Sequence, residues 1–322
     1  MYEHFYSLRE RPFDLTPNPR FLLMTPGHTE ALSNIEYGLA SKRGITLLLG
    51  EAGTGKTTLL RRALTAWVES HGPRLFAMYL NNPTLTRAEL VEFLAAQFGL
   101  GPAAARSKVR LLAGIEEVLR ARRENGELTA LVIDEAQSLP DGLLEEVRLL
   151  ANIESDTEKL LPLVLAGQPQ LRVRLNTPGL QQLKQRIALR CMLAPLSLNE
   201  TAAYISTRIR LAGGDAGQLF TRDAVLAIHE HARGIPRTIS VICDNALVNG
   251  FAAEQRPVRA DMVAEVCRDF DLEAARPAQA VAEAAPGGRR AAADNLRPFP
   301  PAAVRPWPEA ARRFSQRLLE VR

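Results

Sequence analysis

The 322-residue chain is short of the features that mark several large classes of protein. No apolar run approaches the roughly 18 residues that cross a bilayer, and the opening MYEHFYSLRERPF has charges where a signal peptide needs an apolar core. A cytoplasmic protein is the expectation. Cysteine is scarce: Cys191, Cys243 and Cys267 are odd in number, widely spaced and set in apolar segments, which predicts buried thiols over a disulfide or metal site. Of five histidines, only His229 and His231 are close, and i,i+2 spacing puts them on different helix faces, against a zinc site. An excess of one charge is lacking too. The formal charge is +4, and nine Arg against six acids in residues 271–322 supply most of it. Net charge therefore gives no argument for nucleic-acid binding by the body of the chain. Arginine outnumbers lysine 35 to 5, so a cluster such as Arg120-Ala121-Arg122-Arg123 carries little weight as a phosphate-tracking patch. A solvated helix end explains it as well.

What is present is ordered. Residues 1–27 are punctuated by Pro12, Pro17, Pro19 and Pro26 but carry Phe5, Tyr6, Phe13, Phe21 and Leu22, which reads as an irregular arm pinned down by aromatics. Ala31, Leu32, Ile35 and Leu39 fall at helical spacing and Gly44 ends that helix. ITLLLG (45–50) is a short apolar run of the kind buried on both faces of a sheet. The pattern predicts a helix over 57–70, a strand over 74–80, helices over 87–98 and 106–124, and a strand over 128–134. It continues with a helix over 141–154, a strand over 160–167, a short helix over 169–175 and a last strand near 187–193. Five strands separated by helices predict an α/β fold with a mostly parallel sheet covered on both faces.

At Leu193-Ala194-Pro195-Leu196 the pattern changes. Segments 199–212, 221–232, 236–250 and 260–269 all have helical periodicity, with Asn199-Glu200 and Thr221 with Asp223 as starts. The expected organisation is an arm (1–27), an α/β core (28–194), a small all-helical domain (195–270) and a Pro/Ala/Arg-rich tail (271–322) of a composition that forms no core. Within that tail, Ala311, Phe314, Leu318 and Val321 make one stripe, readable as a docking or membrane-surface helix or as a frayed end.

Gly50-Glu51-Ala52-Gly53-Thr54-Gly55-Lys56-Thr57 matches GxxxxGK[ST], follows a predicted strand and opens a predicted helix. Glycines at 50, 53 and 55 let the backbone curl so that successive N–H groups face phosphate oxygens, and the helix N-terminus adds a favourable field. Lys56 can reach the β- and γ-phosphates, Thr57 offers a hydroxyl to Mg²⁺, and Thr58 is a weaker neighbour to it. The apolar strand LVIDE (131–135) ends in Asp134, a carboxylate at the carboxyl edge of the sheet beside the P-loop strand's own edge, suited to Mg²⁺. Glu135 is turned differently and suits a base for an attacking water. Together these favour hydrolysis of ATP over storage of it.

Three further positions gain meaning from this frame. Gln168 follows the strand 160–167 on the same edge, where it can position the water or sense the γ-phosphate, or simply cap its loop. Arg186 and Arg190 lie just before and within the last strand, as surface arginines or as a cation offered to a neighbouring subunit. Arg237 is presented by the rigid turn of Gly234 and Pro236 at the start of a helix, either toward phosphates or toward acids of its own domain.

GEAGTGKT (50–57), LVIDEAQ (131–137), LAGQP (165–169), LKQRIALR (183–190) and GIPR (234–237), in that order, resemble the P-loop, acidic pair, sensor 1, Arg-finger region and sensor 2 of an AAA+ ATPase. The opening FYSLRERPFDLTPNPRFLLMTPGHTEAL (5–32) is similar to that of the general secretion pathway protein A (ExeA-like) group, with relatives in pilus and exopolysaccharide assembly. TniB/TnsC-like transposition ATPases share much of the core. The resemblance implies an AAA+ fold with a helical lid, and nucleotide cradling by Gly53, Gly55, Lys56 and Thr57. It further implies Mg²⁺ support by Asp134, water activation by Glu135 and sensor roles for Gln168 and Arg237. Arg186 becomes the finger, with Arg190 the weaker candidate; Gln168 departs from the Asn usual at sensor 1. The implied protein is an oligomeric ATP-driven switch, ring or filament, that supports assembly of a secretion, pilus or polysaccharide export system, with an inner-membrane assembly protein as its partner. It would act from the cytoplasm and reach the membrane through that partner or its C-terminal helix. The alternative is a DNA-associated ATPase that recruits a transposase or recombinase.

Overall fold

The computed structural model describes residues 1–272 apart from 17, 43, 73, 82 and 83. The tail helix read from Ala311, Phe314, Leu318 and Val321 lies outside the described residues. The strands are β1 (Ile45–Gly50), β2 (Leu75–Leu80), β3 (Leu128–Ile133), β4 (Leu163–Gly167) and β5 (Ile187–Leu193). They form one sheet in the order β2-β3-β4-β1-β5, and every pair is parallel. All strand ends that lead toward the site therefore lie on one edge.

Helices cover both faces because every residue of β1, β3 and β4 is buried and successive side chains alternate. Leu47, Leu49, Leu131, Ile133 and Leu165 face one way. They pack with α4 (Arg87–Gln97), the short α5 (Pro102–Ala105), α6 (Lys108–Glu124) and α7 (Asp141–Leu150). Leu48, Ala130, Val132, Val164 and Ala166 face the other way, against α2 (Pro26–Ser41) and α3 (Lys56–His71). The two short helices α8 (Pro169–Arg174) and α9 (Gln181–Gln185) lead from β4 to the edge strand β5.

Two boundaries differ from the periodicity. Helix α7 stops at Leu150 instead of continuing to 154, and β4 begins at Leu163 instead of 160. The intervening chain folds back through the paired residues Glu154 and Lys159. Leu160 and Leu161 are buried as loop residues, and Pro162, having no N–H to give a ladder, delays the strand.

Beyond β5 the chain is helical: α10 (Leu198–Leu211), the single turn α11 (Ala216–Leu219), α12 (Arg222–Ala232), α13 (Pro236–Ala252) and α14 (Ala260–Asp269). Helix α10 is capped by Ser197, two residues before the predicted start at Asn199. Ser197 and Glu200 close a capping box that satisfies two otherwise unpaired N–H groups. These helices share a core with the arm, whose first residues form the turn α1 (Tyr2–Phe5). Tyr2, Tyr6, Leu8 and Phe13 are buried among Ile205, Ile239, Ile242 and Leu247. The Tyr2 hydroxyl donates to Asp244, and Arg9 N–H donates to Ala212 C=O at 2.8 Å. The arm's aromatics thus pack on the C-terminal helices and not on the sheet. Cys191, Cys243 and Cys267 are all buried and free, as their settings predicted.

Candidate active site

The loop after β1 curls over the first turn of α3, with Gly53 and Gly55 at positive φ (82° and 97°). Lys56 is buried, and its ammonium donates to the carbonyls of Gly50 (2.9 Å) and Glu51 (3.0 Å). Burial pushes its pKa down, while the charges of Glu135, Asp134 and Glu51 work in the opposite direction. Thr54 ties the loop internally, Oγ1 to the Glu51 carbonyl at 2.9 Å. Glu51 and Ala52 are exposed at its crown.

Asp134 follows β3 and is fully buried. One oxygen accepts from Thr57 Oγ1 (2.6 Å) and Tyr79 Oη (2.9 Å), the other from Glu135 N–H (2.9 Å). Burial, then the Asp134 charge, push the Tyr79 hydroxyl pKa up, so it stays a donor. The sheet order corrects one expectation: β4 lies between β3 and β1, so the strand of Asp134 is not beside the P-loop strand. The two meet through the Thr57 side chain, projected from α3. A hydroxyl and a carboxylate in contact are hard oxygen donors of the kind Mg²⁺ takes alongside waters and phosphate oxygens. Among the described residues no group of three or more His, Cys, Asp or Glu forms a protein-only metal cage.

Glu135 turns away from the strand with φ 52°, a conformation uncommon outside glycine. Its Oε2 accepts from Gln137 Nε2 at 2.5 Å and, weakly, from Gln168 Nε2 at 3.5 Å. Gln137 Oε1 in turn accepts from Gln168 N–H at 2.9 Å. Gln168 thus stands beside Glu135, linked by an amide bridge.

Arg237 enters from α13. Its N–H donates to the Gly53 carbonyl at 3.2 Å, and a Cβ on Gly53 would stand 2.8 Å from the Cβ of Arg237, so the close approach needs glycine. The turn before it is fixed by Leu196 N–H donating to Gly234 C=O at 2.8 Å. One cleft is lined by Gly53, Gly55, Lys56, Thr57, Thr58, Glu135 and Arg237. Arg186 and Arg190 are elsewhere. Arg186 is exposed, and its carbonyl accepts from Ile45 N–H, at the beginning of β1 and so at the opposite edge of the sheet from the P-loop. Arg190 is exposed midway along β5, in register with Leu47.

Several cleft residues carry no motif. His28, on the first turn of α2, is buried with Nδ1 2.7 Å from Thr25 Oγ1, its ring turned to the main chain at Thr54 and Gly55; burial pushes its pKa down. Leu15, Phe21 and Leu22 of the arm, with Tyr204 and Arg208 of α10, line the same cleft. An irregular arm gives no periodic signal, and an Arg within a helix reads as surface. Conversely, the cluster at the end of α6 is already engaged: Arg120 pairs with Glu116, Arg123 with Glu158, and Arg122 lies 3.9 Å over the Phe76 ring.

A buried P-loop lysine facing a buried strand-end aspartate on an all-parallel sheet decides the class, and the family described as AAA domain matches residues 39–175. The chain carries an AAA domain. It is 41% identical over 253 residues to general secretion pathway protein A of Aeromonas hydrophila, covering 78% of this chain and 45% of that protein. The chain thus spans about half the length of that relative. Its fold is also that of the Aeropyrum pernix ORC2 protein (TM-score 0.61, 19% identity, 81% of this chain and 71% of that one). Cdc6p from Pyrobaculum aerophilum is similar too (TM-score 0.62, 18% identity, 80% and 70%). Residues 39–175 thus match the AAA domain, on a fold shared with those solved structures, and the chain is similar to general secretion pathway protein A over most of its own length. The match to the AAA domain includes the P-loop, Asp134, Glu135 and Gln168; Arg186, Arg190, Arg208 and Arg237 lie beyond it.

Proposed function

We propose that the AAA domain binds Mg-ATP in this cleft and hydrolyses it to ADP and phosphate. The protein would be an oligomeric switch supporting a secretion, pilus or polysaccharide export assembly from the cytoplasmic side. The contact of Thr57 with buried Asp134, beside buried Lys56, carries the reading. Lys56 would exchange its two carbonyl partners for phosphate oxygens, which repay the burial of its charge. Thr57 and Asp134 would hold Mg²⁺, which when bound offsets charge on the β- and γ-phosphates. Glu135, steadied by Gln137 and Gln168, would take the proton of the attacking water. We take 28–194 as the ATPase core and 195–270 as a lid carrying Arg237 to the phosphates.

Arg186 would act on a neighbouring copy. It stands level with Ile45, while the P-loop begins at Gly50, five residues or about 17 Å further along the strand. A guanidinium does not span that distance to its own γ-phosphate.

The secretion role and the membrane-side partner rest on kinship with general secretion pathway protein A. Phosphate release tests the chemistry: turnover of Mg-ATP by the wild type, absent in Glu135→Gln, supports it, and no turnover in any oligomeric state refutes it. Affinity capture with Glu135→Gln protein tests the role. Recovery of an inner-membrane assembly protein supports it, whereas ATP-dependent, salt-sensitive binding of duplex DNA would move the protein to the transposition reading.

A further inference from the structure

The guanidinium of Arg208 is buried, and its hydrogen bonds among the described residues go to neutral oxygens: Nε to Pro12 C=O (2.5 Å), Nη1 to Tyr204 Oη (2.6 Å) and Nη2 to Asp14 C=O (3.0 Å), with the Asp14 carboxylate acting on it through charge alone. It also lies 5.0 Å from the Phe21 ring and 5.2 Å from the Tyr204 ring. A buried cation served by neutral groups is costly to desolvate, so apolar packing would serve α10 better if stability were its purpose. Its partners show what it organises. Pro12 and Asp14 flank Phe13, which is buried against Phe220 of the C-terminal helices. From Asp14 to Leu23 the arm borders the cleft, and at Pro26 it enters α2 beneath the sheet. One side chain therefore grips the strap where it leaves the helices, at Pro12 and Asp14, and again at Phe21.

We propose that Arg208 is a positioning residue for the nucleotide: by holding the strap at residues 12–23 it sets the stretch from Asp14 to Leu23 as a wall of the cleft that the P-loop also lines. It does so from α10, so that arm and C-terminal helices hold the ligand as one body. The planar fork is what makes this feasible, since its donors point in fixed directions toward carbonyls two residues apart. Lysine, with one nitrogen, serves those acceptors only in part. The inference rests on the nucleotide reading of the cleft.

Calorimetry on the full chain with Mg²⁺ and the β,γ-imido analogue of ATP tests it, using Arg208→Gln, Arg208→Lys, Phe21→Leu and the Arg208→Lys/Phe21→Leu double variant. Arg208→Gln is expected to raise Kd about tenfold or more, as loss of charged hydrogen bonds does, and Arg208→Lys by less. In turnover, KM should rise by more than kcat falls. The double variant should be no weaker than the worse single one, because both act through the same strap. Hydrogen exchange in Arg208→Lys, still charged and so the gentler change, should quicken in residues 12–23 while α12 to α14 keep their protection. Kd values within twofold of wild type for both Arg208 variants overturn the proposal. So do additive losses in the double variant, which would mean that Arg208 acts on the ligand directly. The unaltered protein separates the two levels: no binding of the analogue to wild type refutes the nucleotide reading itself, whereas equal binding by wild type and variants refutes only the role of Arg208.

Discussion

The two sides of the cleft are built in opposite ways. The phosphate side is local: Gly50 to Thr58 are consecutive, and their partner Asp134 is buried under them through one side chain. The other side is assembled from residues 14–23, 204–208 and 236–240, segments far apart in sequence that the C-terminal helices and the arm bring together. Chemistry that needs fixed charges sits on the first, where burial and the sheet hold it. The second is joined to the P-loop through contacts of its own, among them Arg237 N–H to Gly53 C=O, and under the proposed function it is the side that opens to admit a ligand.

If this division holds, changes rank by where they fall. Arg186→Ala, outside both walls, is expected to leave binding intact and cut kcat by on the order of 10³ or more, as loss of an arginine finger does elsewhere. Phosphate release that recovers when it is mixed with Lys56→Ala protein would show the finger acting between copies. Persistent inactivity of proven mixed oligomers would turn attention to Arg190. Glu135→Gln should retain binding and lose about 10²–10⁴ in kcat, measured by single-turnover kinetics. Lys56→Ala should weaken ATP binding by on the order of 100-fold by calorimetry, through loss of charged hydrogen bonds to phosphate. Equal loss of binding in Lys56→Ala and Glu135→Gln would erase the distinction between cradle and base.

The smallest effect lies at the helical side's entrance. Ser197→Ala should lower stability by about 1 kcal/mol in denaturant melts and spare the phosphate side. The Ser197 main-chain bond, and next its hydroxyl, hold the Glu200 carboxyl below its ordinary value of 4.5. A depressed folded pKa adds stability that is present above that ordinary value and is lost as pH falls through the folded one. The cost of Ser197→Ala should accordingly shrink in acid.

The same contrast explains what was legible in the sequence. The strands, the P-loop and the Asp134-Glu135 pair are written in short contiguous patterns, apolar runs and glycines, and they lie where those patterns place them apart from the late start of β4 at Leu163. The position of β4 between β3 and β1 was not, because strand order depends on which crossover passes over the sheet. Tyr79, Gln137, His28 and Arg208 were opaque for a related reason: each acts on a residue distant in sequence or on main-chain atoms, which leave no signature. The S-x-x-E of Ser197 to Glu200 was in plain sight and placed the start of α10 better than Asn199 did.

The parallel sheet gives every copy a polarity. Arg186 marks one edge and the P-loop the other; if Arg186 serves a neighbour's P-loop, as proposed, copies meet either as a two-fold pair that exchanges arginines or head to tail, in a heterologous contact that closes on itself or continues. The count of completed sites then depends on closure. An open row of copies always leaves one cradle without a donor and one donor without a cradle, whereas a closed ring leaves none. Turnover per subunit should therefore climb with length in a filament and jump to its ceiling in a ring, and the shape of that rise with protein concentration reports which assembly forms.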